Sequence, residues 1–460
     1  MAGVIPVVTP EEMAAIDEAA PETTDVLIER AGAAVAKAAV DLLGGTYGRR
    51  VVVVAGKGNN GADGRAAARR LARRGVRVEV LDAADLPDSL PASDLLVDAA
   101  YGTGFKGEWN PALAPGETPV LAVDIPTGVD GLTGEVRGRP WAATRTVSFA
   151  AAKPGLLLGG GPGLTGEVDV VDIGLDVSTS TIGLVEPGDV AAWLPDRPRE
   201  SHKWKAACWI IAGSPGMTGA AHLAAAGAQR AGAGYVRLST PGLERDPGAP
   251  TEVVGIDLPA SGWDVVVAGD LDRISALAVG SGLGPDAATE AIRALVARLD
   301  RPPIVVDGDG LTALADDTTG ALSRPHRGDS PTVVLTPHDG ELARLGADTH
   351  SPDRLLEVRA LAATRQAVVL AKGSTTIVAH PDGRAYLTTS GDVRLATAGT
   401  GDVLTGVVTA LLAQGLDPAE AAAAGAHLHG RAGALAWRRG LVATDVAAHL
   451  PAALSELPET

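Results

Sequence analysis

Aromatic side chains supply only 3% of the 460 residues, so a core must be built mainly from Ala, Val and Leu. That scarcity argues against an aromatic-rich β-sandwich, and the 58 glycines suit strands and helices alternating through glycine turns. Cysteine is limited to Cys208, which lies in an apolar stretch. An internal disulfide is therefore excluded, and the residue reads as a small core side chain in a reducing compartment. Basic residues are also short, 39 Lys and Arg against 56 Asp and Glu, for a formal net charge of −17. A nucleic-acid surface needs a basic footprint, so no nucleic-acid partner is expected, and the charge serves solubility. No stretch approaches the ~20 apolar residues that span a bilayer. The opening MAGVIPVVTPEEM lacks a charged segment followed by a long apolar run, so no signal peptide is expected. These absences point to a soluble, cytoplasmic protein without a membrane partner.

Apolar residues at 46% and charged residues at 21% are those of a globular chain, and the length suits two or three domains. Thr9-Pro10-Glu11-Glu12 reads as a helix start, with Thr as cap, Pro at the first position and Glu three residues after the cap. Helical spacing continues, interrupted near Pro21, to about Leu43. The pattern then becomes strand, glycine turn, helix: RVVVVA (50–55), GKGNNGADG and RAAARRLARRG, with further strands at 76–82, 94–100, 119–125, 145–150 and 168–175. Continuous apolar strands alternating with helices predict a parallel sheet covered on both faces. Periodicity fades between Asp176 and Arg199, a boundary region compatible with one inner strand. A second alternating series begins at ACWIIAGS (207–214). It runs through a small-residue helix (219–234), YVRLST, WDVVVAGD, ALAVGSGLG, PIVVDGDG, TVVLTPH, AVVLAKGSTTIVAH and a long helix opening at GTGDVLTG. The expected organisation is two α/β domains, 1–200 and 201–460.

Gly56, Gly58 and Gly61 form G-x-G-x-x-G between a strand and a helix, a loop whose backbone approaches a pyrophosphate. Asp82, ending the next strand, stands where a ribose-binding acid is expected. Asn59, Asn60 and Asp63 add oxygens suited to a hard cation or a ligand hydroxyl, or else to turn formation and helix capping. Asp98 and Asp124 end two further strands, with Thr127 following. Neighbouring carboxyl ends of a parallel sheet converge on one crevice, so Asn60, Asp98, Asp124 and Thr127 are expected to share a site.

GKGNNGADG, VDAAYGTGFKGE and AVDIPTGVDG, in this order, resemble the NAD(P)HX epimerase domain, over most of residues 1–200. The resemblance implies a Rossmann-like three-layer αβα fold. It implies that hydrated NAD(P)H is lined by Asn59, Asn60, Gly61, Ala62, Asp63, Gly102, Thr103, Gly104, Phe105, Lys106, Gly107 and Glu108. It also implies a potassium ion (K+) on Asn60, Asp98 and Thr127, and contact of Asp124 with the substrate near the reacting ring. Two departures are Ala62 in place of a glycine and Thr127 in place of a serine. Thr keeps the hydroxyl; Ala62 raises the question whether its position needs φ > 0. Inverting the hydroxyl-bearing C6 requires transient loss of hydroxyl or ring opening, with proton transfer by a carboxylate, for which Asp124 is the candidate.

ATAGTGDVLTG (396–406) is the most specific motif. Gly399, Gly401 and the following helix form an anion hole, and Asp402 sits in the first helical turn. A carboxylate against a phosphate suits a base that deprotonates a hydroxyl during phosphoryl transfer, or else a helix cap. Lys372-Gly373-Ser374-Thr375-Thr376 offers a cation and hydroxyls for nucleotide phosphates. Asp307 and Asp309 in VVDGDG suit a magnesium shell or loop structure, and His338 and Glu341 stand where a strand becomes a helix. The Ala- and Gly-rich helix from 219 permits close packing.

GTGD, KGSTT, TPHDGE and GSPGMTGAA together resemble the ADP/ATP-dependent NAD(P)HX dehydratases of the ribokinase-like superfamily, over about 201–450. The resemblance implies ADP with Mg2+ at Lys372 to Thr376 and Gly401, and hydrated nicotinamide against Ala221, Gly282, His338 and Asp402. Asp339 stands where a proline is usual, and the common Asn-Gly turn and Met before GTGD are missing. The expected activities are epimerisation of NAD(P)HX and ADP-dependent dehydration of the S form, releasing AMP and phosphate, by a homo-oligomer. Three alternatives stay open: a sugar or vitamin kinase with an accessory domain, a Rossmann oxidoreductase, and a non-catalytic binding module.

Overall fold

The helix start at Thr9 is built as its residues dictate. Thr9 Oγ1 accepts from Glu12 N at 3.2 Å, Glu12 Oε2 accepts from Thr9 N at 2.7 Å, and the helix runs Pro10–Ala19. A second helix, Thr24–Leu43, follows the break at Pro21. The computed structural model describes residues 3–114, 116–197, 199–244, 246–284, 288–317, 322 and 332–459. It divides into two compact units, Ile5–Leu184 and a second that joins Val4 to the described residues from Val185 onward. Residues 185–197, assigned from sequence to the first domain, thus belong with the second, because helix Pro187–Trp193 buries Val190 in the second core. The strand compatible with the boundary pattern is Ile182–Leu184, paired antiparallel with Ile5–Val7.

The first unit holds a six-stranded parallel sheet in the order Arg77–Asp82, Arg50–Ala55, Leu95–Ala99, Val120–Val123, Arg145–Phe149, Glu167–Val171. Alternate residues of its central strands face opposite sides. Val51, Val53 and Ala55 join the core beneath helices Thr24–Leu43 and Asn59–Arg73, whereas Val52 and Val54 meet Trp109 and Trp141 on the other face. Two faces of apolar residues explain why these strands read as unbroken hydrophobic runs.

In the second unit, parallel strands run in the order Val368–Ala371, Val333–Leu335, Ile304–Val306, Ala276–Val279, Ala207–Ile211, Tyr235–Ser239, Val254–Gly255. Thr376–Ala379 and Ala385–Thr388 extend it antiparallel beyond Val368–Ala371. Helices Gly219–Arg230, Thr400–Ala413, Pro418–Leu435 and Ala443–Ser455 share one apolar core with that sheet. The expected close packing of small residues is present: a Cβ on Gly406 would stand 1.9 Å from the Ala224 carbonyl oxygen. One expected strand is corrected. WDVVVAGD is the helix Trp263–Ala268, with Trp263 and Val267 buried one turn apart and Val265 70% exposed. Its valine run carried a β signal that the four-residue burial period overrides.

Candidate active sites

In the first unit, strand Arg50–Ala55 lies between its two successors, Arg77–Asp82 and Leu95–Ala99, so strand order reverses there. Loops leaving the carboxyl ends on either side of such a switch point part and open a crevice. A cavity of about 500 Å3 occupies this place, lined among others by Asn59, Asn60 and Asp63, by Gly102 to Lys106, and by Asp124 and Lys153. The loop has no room for side chains at its base, since a Cβ on Gly61 would stand 1.9 Å from the Gly56 carbonyl oxygen.

The helix Asn59–Arg73 starts after Gly58, so Asp63 is not its cap but sits in its second turn, buried. Burial first, and then the charges of Asp124 and Asp17, push its carboxyl up to about 8. Asp17, also on the cavity, is raised in the same direction by burial. Asp124 adopts φ +66°, a left-handed conformation costly for a residue with a Cβ. Its Oδ1 accepts from Lys153 Nζ at 2.5 Å. Lys153 is 1% exposed, and its ammonium also donates to Ser148 Oγ and to the Phe149 and Ala151 carbonyls, at 3.1, 3.0 and 3.2 Å.

Asp98 is fully buried. It accepts from Thr127 N at 2.9 Å, Thr127 Oγ1 at 2.7 Å and Ala100 N at 3.3 Å, and burial raises its carboxyl despite those bonds. The Asn60 amide is buried with neither its oxygen nor its nitrogen hydrogen-bonded to protein. Ala62 is helical, not at positive φ, so its methyl carries no strain of that kind. Phe105 stacks on Tyr101 with centroids 4.5 Å apart.

Not every expected residue lines this cavity. Gly61 and Ala62 lie within the helix, and Gly107 follows the lining segment. Glu108 lines a separate cleft with Asn110 and Arg139. Asp82 is exposed and accepts from Ala84 N at 2.9 Å, capping its own turn. Sequence reasoning missed Lys153 and Asp17. A lysine three residues beyond RTVSFA offered a signal for the first; Asp17, far off on helix Pro10–Ala19, offered none.

In the second unit the carboxyl ends of Ala207–Ile211, Ala276–Val279, Ile304–Val306, Val333–Leu335 and Val368–Ala371 point to one edge. Lys372 to Thr375 is the turn between antiparallel strands Val368–Ala371 and Thr376–Ala379, with Gly373 and Ser374 exposed and Thr375 buried. Asp402 lies in the first turn of helix Thr400–Ala413, which starts after Gly399 at φ +90°. Lys372 Nζ lies 3.4 Å from where a Cβ on Gly401 would stand, so cation, glycine turn and carboxylate are brought together. Burial, then the charge of Asp307, raises the Asp402 carboxyl to about 6 against the pull of Ser281 and Lys372.

Gly282, at φ +68°, comes against the start of helix Gly219–Arg230; a Cβ there would be 3.2 Å from Ala220. Ala221 itself is in the apolar core. His338 caps helix Asp339–Arg344, its Nδ1 accepting from Gly340 N at 3.0 Å, with its side chain 59% exposed. Its neighbour Pro337 accepts from Lys372 N at 2.9 Å, which joins the two segments. Asp309 accepts from Gly284 N at 2.8 Å, loop structure rather than a metal shell. His429 was not foreseen. It is buried, burial lowers it to about 4, and its Nε2 donates to the Thr400 carbonyl at 2.9 Å.

Among the described residues no group of three or more His, Cys, Asp or Glu is placed to hold a metal, and no helix is long and apolar enough to cross a membrane. The NAD(P)H-hydrate dehydratase family model matches residues 208–455, and the model of the YjeF-related protein N-terminus matches 24–89 and 82–155. A ribokinase-like protein of Enterococcus faecalis superposes with TM-score 0.52 at 22% identity, over 61% of this chain and 98% of that one, a likeness of fold. The ADP/ATP-dependent NAD(P)H-hydrate dehydratase of Bacillus subtilis, co-crystallised with ATP/Mg2+, matches at 31% identity and TM-score 0.51, over 59% of this chain and 98% of that one. The bifunctional NAD(P)H-hydrate repair enzyme of Moorella thermoacetica is 37% identical over 98% of this chain and 97% of its own length. That of Mycobacterium tuberculosis is 38% identical over 83% and 82%. With both family models matched in order and relatives of this likeness along nearly its whole length, the chain belongs to the bifunctional NAD(P)H-hydrate repair enzymes.

Proposed function

We propose that the first site epimerises hydrated NAD(P)H at C6 and that the second dehydrates the S form with ADP, releasing AMP and phosphate. The observation that carries the second assignment is Asp402, half-buried in the first turn of a helix beside Lys372 and Gly401. Hydroxide leaves C6 poorly. Asp402 takes the proton of the C6 hydroxyl, whose oxygen forms a bond to the terminal phosphorus of ADP as the bond to AMP breaks. The ring nitrogen lone pair then expels inorganic phosphate, and loss of a proton from C5 restores the dihydropyridine. Lys372 and the free N–H groups after Gly399 stabilise the transferring phosphoryl group. Magnesium arrives with the nucleotide, on its phosphates. Asp307 does not fit a metal, because its Oδ1 is already paired with the Lys372 ammonium at 2.8 Å, a charge that would repel a cation.

In the first site Asp124 moves the proton and Lys153 orients it. Residues Asn60, Asp98 and Thr127 fit a potassium ion: the Asn60 amide oxygen is buried without a partner, and Asp98 is a buried carboxylate facing a hydroxyl rather than a cationic side chain. A cation held there supplies positive charge toward the substrate diphosphate. Asn59, Asp63 and Gly102 to Lys106 contact the hydrated nucleotide. The chain works in the cytoplasm as a homo-oligomer, a part of the proposal that light scattering tests.

Incubating the full chain with both epimers of hydrated NADH, ADP and magnesium should restore the absorbance of reduced nicotinamide and release phosphate stoichiometrically. Asp402→Asn should lose at least ~10²–10⁴-fold of the dehydration rate. Asp124→Asn should stop interconversion of the epimers. A stable phosphorylated product in place of NADH would make the second unit a kinase.

A further inference from the structure

We propose that Asp307 is the positioning residue of the second site, a buried carboxylate that anchors both Lys372 and the helix carrying Asp402. The proposal deepens the assignment of Asp402 as base and rests on it. The sequence DGDG offered no choice between a metal ligand and a loop residue; the contacts decide. Asp307 follows strand Ile304–Val306 and is 4% exposed. Its Oδ1 accepts from Lys372 Nζ at 2.8 Å and from Thr336 Oγ1 at 2.8 Å. Its Oδ2 accepts from Thr405 Oγ1 at 3.0 Å and from Ser281 Oγ at 3.4 Å. Four segments thus meet on one carboxylate: two other strand ends, the loop after Ala276–Val279, and the helix Thr400–Ala413. Lys372 and Thr405 come from 65 and 98 residues further along the chain.

The two bonds to Lys372 and Thr405 act on different parts of the chemistry. The first fixes a cation beside Gly401, where the nucleotide phosphates are proposed to lie. The second fixes the helix one turn after Asp402, since Thr405 follows it by three positions. Ser281 lies by both carboxylates: its hydroxyl donates to Asp307 Oδ2 at 3.4 Å and its influence lowers the Asp402 carboxyl against burial. Burial opposes a charge on Asp307, yet Lys372 and the two threonine hydroxyls outweigh it and hold the carboxyl below its usual range. Lys372 is likewise held charged against burial, by Asp307 first and then by Glu341 and Asp402. His429, neutral on the Thr400 carbonyl, is a further titratable group by this turn. A fixed negative charge on Asp307 therefore faces Asp402 and disfavours its ionised form.

The test is Asp307→Asn in the full chain, read as phosphate release against pH and as ADP binding by calorimetry, with Asp402→Asn measured alongside. Asn keeps the shape and removes the charge. The acid limb of dehydration should move to lower pH, because the like charge that raised Asp402 is gone. ADP binding should weaken by about tenfold or more as Lys372 loses its anchor. Thr405→Val, which leaves the Lys372 pair intact, should slow phosphate release at unchanged ADP affinity, and it serves also if Asp307→Asn fails to fold. A folded Asp307→Asn with the parent limb, or a rate loss that merely tracks its melting temperature, overturns the positioning role. So does a Thr405→Val chain with the parent rate. An active Asp402→Asn brings down the base assignment itself, and with it the proposal.

Discussion

Lys153→Met isolates what a single buried ammonium does for the first site. Met fills most of the lysine stem's volume, so the change is chiefly one of charge and donors. Lys153 is 2% exposed at its side chain and Asp124 17%, so solvent replaces little of what is lost. The Asp124 carboxylate loses its cation, and the Phe149 and Ala151 carbonyls lose a donor. Removing one partner of a buried pair costs ~3–5 kcal/mol. For a unit of this size each kcal/mol lowers the melting temperature by roughly 2–4 °C, so the first unit should melt about 6–20 °C earlier. Epimerisation should fall with it, because Asp124 is held at φ +66° only by its surroundings. Thermal unfolding of the full chain by circular dichroism reads the first effect, and chromatography of the two epimers reads the second. The double variant Lys153→Met, Asp124→Asn separates pair from parts: with no orphan charge left it should recover at least ~1.5 kcal/mol relative to the sum of the singles. Additivity within about 0.5 kcal/mol, or a single variant as stable and active as its parent, would refute the reasoning.

Asp63→Asn should stabilise the chain as pH rises. Burial pushes the Asp63 carboxyl up to about 8 from an ordinary 3.8, so the stability its protonated form supplies is complete below 3.8 and lost as pH climbs through about 8. The melting-temperature gap to the parent should widen between those values and level off above; a gap independent of pH contradicts the buried charge. Dehydration should decline as pH falls through about 6, where Asp402 takes up a proton and ceases to be a base. A rate flat to pH 5 would assign the proton to another group. Gly406→Ala sets a methyl 1.9 Å from the Ala224 carbonyl and should cost about 3 kcal/mol or more in denaturant unfolding, with a neutral result disproving the close helix contact.

What was legible in the sequence was what local chemistry writes there. Capping at Thr9, the β-branched run Arg50–Ala55 and the glycine loops at Gly56 and Gly399 each declare a backbone conformation within a few residues. Strand ends were legible too, because a parallel sheet puts Asp98, Asp124, Asp307 and Lys372 on one edge of its own unit whatever the connections. What stayed hidden were relations that only topology makes. Lys153 meets Asp124 across 29 residues, and Asp307 could be told from a metal ligand only by a lysine 65 residues away. The run WDVVVAGD failed for a different reason: β-branched residues signal burial on a sheet, but here two of the three valines face solvent or its margin, at 70% and 45% exposure.

The two sites solve one electrostatic problem alike, on unrelated strand orders. Each places a lysine against one aspartate and leaves a second carboxylate to burial: Lys153 on Asp124 with Asp63 pushed up to about 8, Lys372 on Asp307 with Asp402 pushed up to about 6. A lone buried carboxylate takes a proton, and two unpaired ones sharing a site repel, so a cation on one of them fixes which stays ionised. In the first site the paired aspartate lines the cavity, whereas in the second the paired one is held by two threonine hydroxyls and the other lies in the first helical turn after Gly399. The difference follows the chemistry proposed for each. Inverting a hemiaminal asks for proton transfer at one carbon, which the proposal gives to Asp124, with the Asp63 carboxyl held up by burial on the same cavity. Phosphoryl transfer asks for a single base whose charge does not repel the incoming phosphates too strongly, and a carboxylate at about 6 beside a fixed lysine meets that demand.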